Sequence, residues 1–352
     1  IIDHKIPTPD QDAGSLRIFN IIKILTNLGY SVVFVGDNLQ ASELQVKEFH
    51  KLGVTILYSP LIPSIRVFLE QYGSFFNAVF LCREAVATRQ FTEVKRYCSN
   101  AKVIFDTVDL HFLREERRAA IENNSELLLQ AKKIKEREVS IASKVDCTVV
   151  VSDVERKILL RENNNLTIKV LSIIHKSVQS RKGFDNRSAL MFLGGFDHLP
   201  NRDAVDYLVK DIFPLFSEQL PDVKLYIIGS FPTEKIVSYA SKSIIVTGFI
   251  PDLKPLFEKC RVFVAPIRYG AGVKGKIVEA MAHGVPVVTT SIGAEGMGLQ
   301  HKKNVLIADD VNSFVENVFN VYTNEFLWNA LKKNAILHVE NQYSHSIARK
   351  GL

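Results

Sequence analysis

The feature that most constrains this chain is an alternation kept from one end to the other: short apolar runs rich in Val, Ile and Phe, each followed by a stretch with helical spacing. A strand that is apolar on both faces must be covered on both faces, and in a βαβ chain the intervening helices do the covering. The pattern therefore predicts parallel sheets between helix layers. In the first half the predicted strands are 1–2, 31–35, 55–57, 78–81, 103–105, 148–151 and 168–171. Among the stretches between them, 15–28 places Leu16, Phe19, Ile22 and Leu25 on one face, with Ser15 as the expected N-cap and Gly29 as the stop. Residues 113–142 read as one longer helical segment whose alternating charges face solvent.

From 174 to 188 the pattern stops, and the run KSVQSRKGFDNRS is polar, basic and without periodicity. A domain linker is placed there, giving an N-terminal domain over 1–180 and a C-terminal domain over 181–352, the division expected of 352 residues at roughly 150 per domain. A second series then predicts strands at 190–193, 224–228, 244–246, 262–264, 285–289 and 305–307, with helices at 201–218, 233–241, 252–259, 274–283 and two near the end. The expected architecture is α/β, two doubly wound Rossmann-like domains facing each other, with ligands in the cleft at the carboxyl ends of the strands.

Composition removes other classes. With 47% hydrophobic and 23% charged residues the chain is neither disordered, collagen-like nor a coiled coil. Four cysteines are too widely spaced for a CxxC motif and too few to staple a chain this long, which points to a reducing compartment. Apolar runs such as 262–267 fall far short of the ~20 residues of a membrane span, and no signal peptide opens the chain, so a soluble or peripheral protein is expected. The net charge is +6, and residues 1–185 carry 26 basic and 22 acidic side chains. Such an excess reads first as solvated surface and second as a bias toward an anionic membrane leaflet. No helix-turn-helix, zinc or aromatic-basic pattern indicates nucleic acid. The opening Ile1-Ile2-Asp3, without Met, reads as the end of a strand whose beginning is missing, so the chain is expected to be part of a longer polypeptide.

The chemistry concentrates in GAGVKGKIVEAMAHGVPVVTTS, residues 270–291. Gly270, Gly272 and Gly275 allow a ligand to approach the backbone, and a helix starting near Lys274 aims its free N–H groups at the same place. Arg268, Lys274 and Lys276 add positive charge suited to a diphosphate, and Glu279, one turn on, is placed to accept hydrogen bonds from a ribose diol. The same residues satisfy G-x-G-x-x-G with Glu295 about 20 residues onward, the dinucleotide fingerprint. Three details oppose that reading: four residues separate strand and first glycine, the motif lies in a late βα unit, and dinucleotide loops use backbone amides without clustered lysines.

The segment 268–291 with the later GAEGM resembles the signature of group-1, glycogen-synthase-like retaining glycosyltransferases of the GT-B fold. The stretches MFLGGFDHLPN (191–201), VTGFIPDL (246–253) and PTPDQDAGSLR (7–17) agree with it. The resemblance spans almost the whole chain, strongly in the second half and loosely in the first. It implies a GT-B fold with the nucleotide in the second domain and the acceptor in the first. By it, Glu279 would bind the ribose and Arg268 with Lys274 or Lys276 would neutralise the diphosphate. Gly272 and Val273 would belong to the phosphate loop, Phe249 and Ile250 would meet the base, and Gly194 and Gly195 would line the cleft floor. Gly14 would approach the diphosphate from the first domain, and His111 would be the active-site histidine beside the donor sugar.

The chain departs from the family pattern twice: Ala271 stands where many members carry the first Glu of Glu-x7-Glu, and Phe196 stands near an expected Arg, for which Arg268 or Arg202 would compensate. Asp10-Gln11-Asp12 is a D-x-D triplet but lies in the wrong domain for the metal of the other glycosyltransferase fold, so no metal and no cofactor is expected. The implied function is retaining, metal-independent transfer of a sugar from a nucleotide diphosphate donor to a glycan or lipid-linked glycan acceptor, in the cytoplasm and peripheral to the inner face of the membrane. A sugar-nucleotide epimerase and a non-catalytic binding module of a larger polypeptide are the rival readings.

Overall fold

The computed structural model describes residues 1–178, 180 and 182–351. The chain divides into two compact units. The first comprises Ile1–Pro9, Gly14–Ser172 and the chain end from Ala348, and the second comprises Asp10–Ala13 and Ile173–Ile347. The break thus falls at Ser172/Ile173 rather than at 180/181; of the linker expected over 174–188, Gln179 and Arg181 lie outside the described residues.

The first unit holds a seven-stranded parallel sheet: β1 (Ile2–Asp3), β2 (Val32–Gly36), β3 (Val54–Leu57), β4 (Ala78–Cys82), β5 (Lys102–Asp106), β6 (Cys147–Val150) and β7 (Ile168–Val170). Their order is β3-β2-β1-β4-β5-β6-β7, a doubly wound sheet that reverses direction between β1 and β4. The core gathers Leu81, Val103, Phe105 and Val150 from the strands with Val86, Phe112 and Leu159 from the helices, all buried. The second unit holds β8 (Ala189–Leu193), β9 (Lys224–Ile228), β10 (Ile244–Gly248), β11 (Cys260–Ala265), β12 (Val287–Thr289) and β13 (Leu306–Ile307), in the order β10-β9-β8-β11-β12-β13. Here Met191 and Phe192 of β8 and Phe263 and Val264 of β11 meet Ile277, Val278 and Met281 of one helix and Trp328 of another. β8 pairs with β9 from Ala189↔Lys224 to Leu193↔Ile228 and with β11 through Phe263↔Met191. The reversal therefore lies between β8 and β11, and their carboxyl ends open the crevice where such sheets bind ligands.

Three local expectations needed correction. The first helix spans Ala13–Asn27 and Ser15, 2% exposed, sits inside its first turn, so Ser15 is not the cap. Gly29, at φ +89°, does end that helix. The segment 113–142 is two helices, His111–Ile121 and Ser125–Ala142. Asn123 adopts a left-handed φ of 47° and Asn124 caps the second helix, accepting from the Glu126 and Leu127 amides at 2.9 and 3.1 Å. The helix expected over 201–218 runs from Leu199 to Gln219 with a π-helical stretch at Leu208–Ile212. Pro214 comes two residues after it; it has no N–H to donate and its ring would crowd the carbonyl four residues back, which a wider turn relieves. Among the described residues no helix is long and apolar enough to cross a membrane.

Candidate functional site

The loop after β11 turns through Gly270 and Gly272, at φ +148° and +69°, and delivers the chain to the helix Gly275–Ala282. Its N-cap is Lys274, which offers no side-chain acceptor, so the first amides of the helix keep their donors and their positive dipole end uncapped. Lys274, 8% exposed, folds back and donates to the Gly272 and Ala271 carbonyls at 2.8 and 3.4 Å, and Val273 packs on the core.

Lys276 is the cation the fold treats most unusually. Its ammonium donates to Asn201 Oδ1 and sits 4.9 Å from the Phe192 ring centroid. Burial, with the Lys274 charge adding to it, pushes its pKa down to about 7. One turn along the same helix, burial alone pushes the Glu279 carboxyl up to about 7. Both groups are thus poised between charged and neutral forms, a state that an incoming ligand can tip.

The β8 end closes around this lysine. A Cβ on Gly194 would come within 2.7 Å of both Lys276 Nζ and Asn201 Nδ2, so a side chain there would displace the lysine head or the amide. Asn201 Nδ2 donates to the Gly195 carbonyl at 2.6 Å. Phe249 and Ile250 continue the carboxyl end of β10; Phe249 is 41% exposed, open to a flat ligand.

Arg268, expected to neutralise the diphosphate, is ion-paired. Its guanidinium is held by both carboxylate oxygens of Asp203, with Nε at 2.9 Å from Oδ2, and lies 4.9 Å from the Tyr207 ring centroid. Its charge is already balanced in this structure. Arg202 donates through Nε to the Phe196 carbonyl, and Phe196 is sealed in the core.

In the first unit Gly14 is the second residue of the helix Ala13–Asn27. His111 opens the helix His111–Ile121, its Nε2 3.0 Å from Asp109 Oδ1. Burial lowers the imidazole pKa, but the Asp109 carboxylate outweighs it and the net shift is upward. Glu138 accepts the His111 and Phe112 amides at 3.1 and 3.0 Å, capping that helix from the next one. Burial pushes the Glu138 carboxyl up to about 7.

Sequence reasoning missed Asn201, Asp203, Asp109 and Glu138. Asn201 stood inside the quoted MFLGGFDHLPN stretch and Asp109 two residues before His111, but neither sequence position shows what it touches. Among the described residues no cluster of His, Cys, Asp and Glu could hold a metal ion, Asp10 and Asp12 included.

Residues 187–324 match the family described as "Glycosyl transferases group 1". The chain is 27% identical over 198 residues to the putative glycosyltransferase YtcC of Bacillus subtilis, a match covering 51% of this chain and 48% of that one. The chain spans less than half the length of the curated relatives it matches. Among solved structures it is similar to sucrose-phosphate synthase from Thermosynechococcus elongatus, with TM-score 0.74, 14% identity and 99% and 96% of the two chains covered. It is similar as well to Anabaena Alr3699/HepE in complex with UDP-glucose, with TM-score 0.72, 12% identity and the same coverage. These likenesses identify the fold as GT-B.

Proposed function

Taking residues 187–324 as a group 1 glycosyltransferase segment, we propose that the protein is a retaining, metal-independent glycosyltransferase. It moves a sugar from a nucleotide diphosphate donor to a glycan or lipid-linked glycan at the cytoplasmic face of a membrane. The observation that carries the reading is the uncapped start of the helix Gly275–Ala282, with Lys274 and Lys276 beside it and the Glu279 carboxyl one turn on. Two lysines and aligned amides favour a diphosphate, and a carboxyl without a charged neighbour suits a ribose diol. Breaking the bond between sugar and diphosphate adds negative charge to the departing phosphate, so fixed positive groups around it lower the barrier. The diphosphate in turn raises the Lys276 pKa and holds it as ammonium. A relative of the same fold is known in complex with UDP-glucose, which supports a nucleotide sugar as donor. In this proposal the leaving phosphate takes the acceptor proton during front-face attack.

The test replaces Lys276 and Glu279 separately with Ala and measures nucleotide binding and donor hydrolysis. If both survive unchanged in both variants, the site is misassigned. Retention of activity in excess EDTA checks the metal independence.

The pairing of Arg268 with Asp203 favours a second reading, a nucleotide-sugar-binding module without transfer, because it leaves one cation fewer for the leaving group. Donor binding without turnover on any acceptor would identify it. Interconversion of donor alone would identify an epimerase.

A further inference from the structure

Two cations flank the β8 and β11 ends, and they have partners of different chemistry. Arg268 faces the carboxylate of Asp203, which cancels its charge. Lys276 faces the amide oxygen of Asn201, which orients an ammonium and leaves its charge intact. We propose that Asn201 is a positioning residue of the nucleotide diphosphate site, whose amide holds the Lys276 ammonium against the Gly194-Gly195 loop while keeping its charge available to the ligand.

The orientation of that amide is forced by its neighbours. An ammonium only donates and a carbonyl only accepts, so the amide must turn Oδ1 to Lys276 and Nδ2 to Gly195, as observed. Asn201 is almost fully buried at the third position of the helix Leu199–Tyr207, which the five-residue loop 194–198 joins to β8, so the fold supplies the amide and the glycine loop as one piece. Asp at this position would pair with Lys276 but could not donate to Gly195, and an apolar residue could do neither. The Nδ2 bond also occupies a carbonyl of Gly195 that would otherwise repel a phosphate.

This inference rests on the nucleotide-binding reading above, and the experiment separates the two. UDP, GDP, ADP and CDP are screened by calorimetry with the full chain, and the one that binds is titrated between pH 6 and 9 into the native protein, Asn201→Leu, Asn201→Asp and Lys276→Ala. Lys274 and Glu279, the other titratable groups at this helix, and the ligand's own phosphate are common to the native protein and both Asn201 variants, so differences in their profiles belong to Lys276. Without its acceptor Lys276 releases its proton more readily; for a drop of one unit, Asn201→Leu binds about 10-fold more weakly than native at pH 8 and about 2-fold more weakly at pH 6. Asn201→Asp moves the decline of affinity to higher pH. Opposite displacements in the two variants are the expected result, one that a merely structural role would not produce. Equal losses at every pH, or unchanged affinity, would overturn the role of Asn201. If Asn201→Leu does not fold, the nearly isosteric Asp variant decides, an undisplaced profile being the overturning result. Native affinity in Lys276→Ala would overturn the site reading itself, whereas loss there with a native profile in both Asn201 variants overturns only the present inference.

Discussion

A methyl group on the Gly229 Cα would lie 2.0 Å from the Gly194 carbonyl oxygen, so the backbones leaving β8 and β9 are in direct contact beside the Lys276 ammonium. Gly229→Ala must therefore push the two strand ends apart. A loss of about 2 kcal/mol in urea unfolding is expected, the scale of overpacking in a tight interior, together with weaker nucleotide binding. Native stability in this variant would show that the two loops are not packed as described.

Lys276 and Glu279 oppose folding in the absence of ligand, each in its own pH window. The folded Lys276 has a pKa of about 7 against an ordinary 10.5, so between these values the unfolded chain binds more protons and stability rises with pH. Lys276→Met should raise the melting temperature at pH 7 by several degrees, about 2–4 °C for each kcal/mol released, with the gain fading toward pH 10.5. Glu279 has the opposite course: with its pKa lifted from 4.5 to about 7, its penalty grows across that interval, and Glu279→Gln should stabilise most above pH 7. Both variants should lose nucleotide affinity. Thermal scans at pH 5, 7 and 9 check the stabilities, and the same scans with added nucleoside diphosphate check the affinity.

Arg17 and Asp106 form a buried pair in the first unit, Nη1 to Oδ2 at 2.6 Å, and the same guanidinium donates to the Leu171 carbonyl through Nε at 3.2 Å and Nη2 at 2.9 Å. Removing one partner strands a charge in the interior. Asp106→Leu should cost about 3–5 kcal/mol, and adding Arg17→Met should restore most of it, because two apolar side chains leave no charge behind. Denaturant unfolding of the single and double variants measures the difference.

His111 titrates above its ordinary value because of Asp109, against the pull of burial. In Asp109→Asn burial should prevail and the imidazole should titrate below 6.5, observable by NMR of the ring protons. A value still above 6.5 would assign the effect to Glu138, whose Oε1 lies 4.0 Å from Nδ1.

The glycine-rich turn at 270–275 and the helix behind it were legible because everything that makes them lies within ten residues. Gly270 and Gly272 do take the left-handed angles that glycine tolerates, and the helix does begin next to Lys274. The break of the 113–142 segment at Asn123 is just as local, carried by two asparagines, one in a left-handed turn and one capping the next helix, that a continuous charge pattern masks.

The sequence by itself determined the architecture. Among the described residues thirteen strands fall at the thirteen predicted places, since apolar runs of strand length between helical stretches have one economical arrangement, parallel sheets buried on both faces. What only the tertiary structure decided is which charges remain available at the candidate site. Arg268 and Lys276 look alike along the chain, yet one meets a carboxylate 65 residues away and the other an amide 75 residues away. Glu138 reaches the amide of His111 from 27 residues on. The pKa of a buried group depends on how much water is excluded and what faces it, and both are properties of packed neighbours distant in sequence.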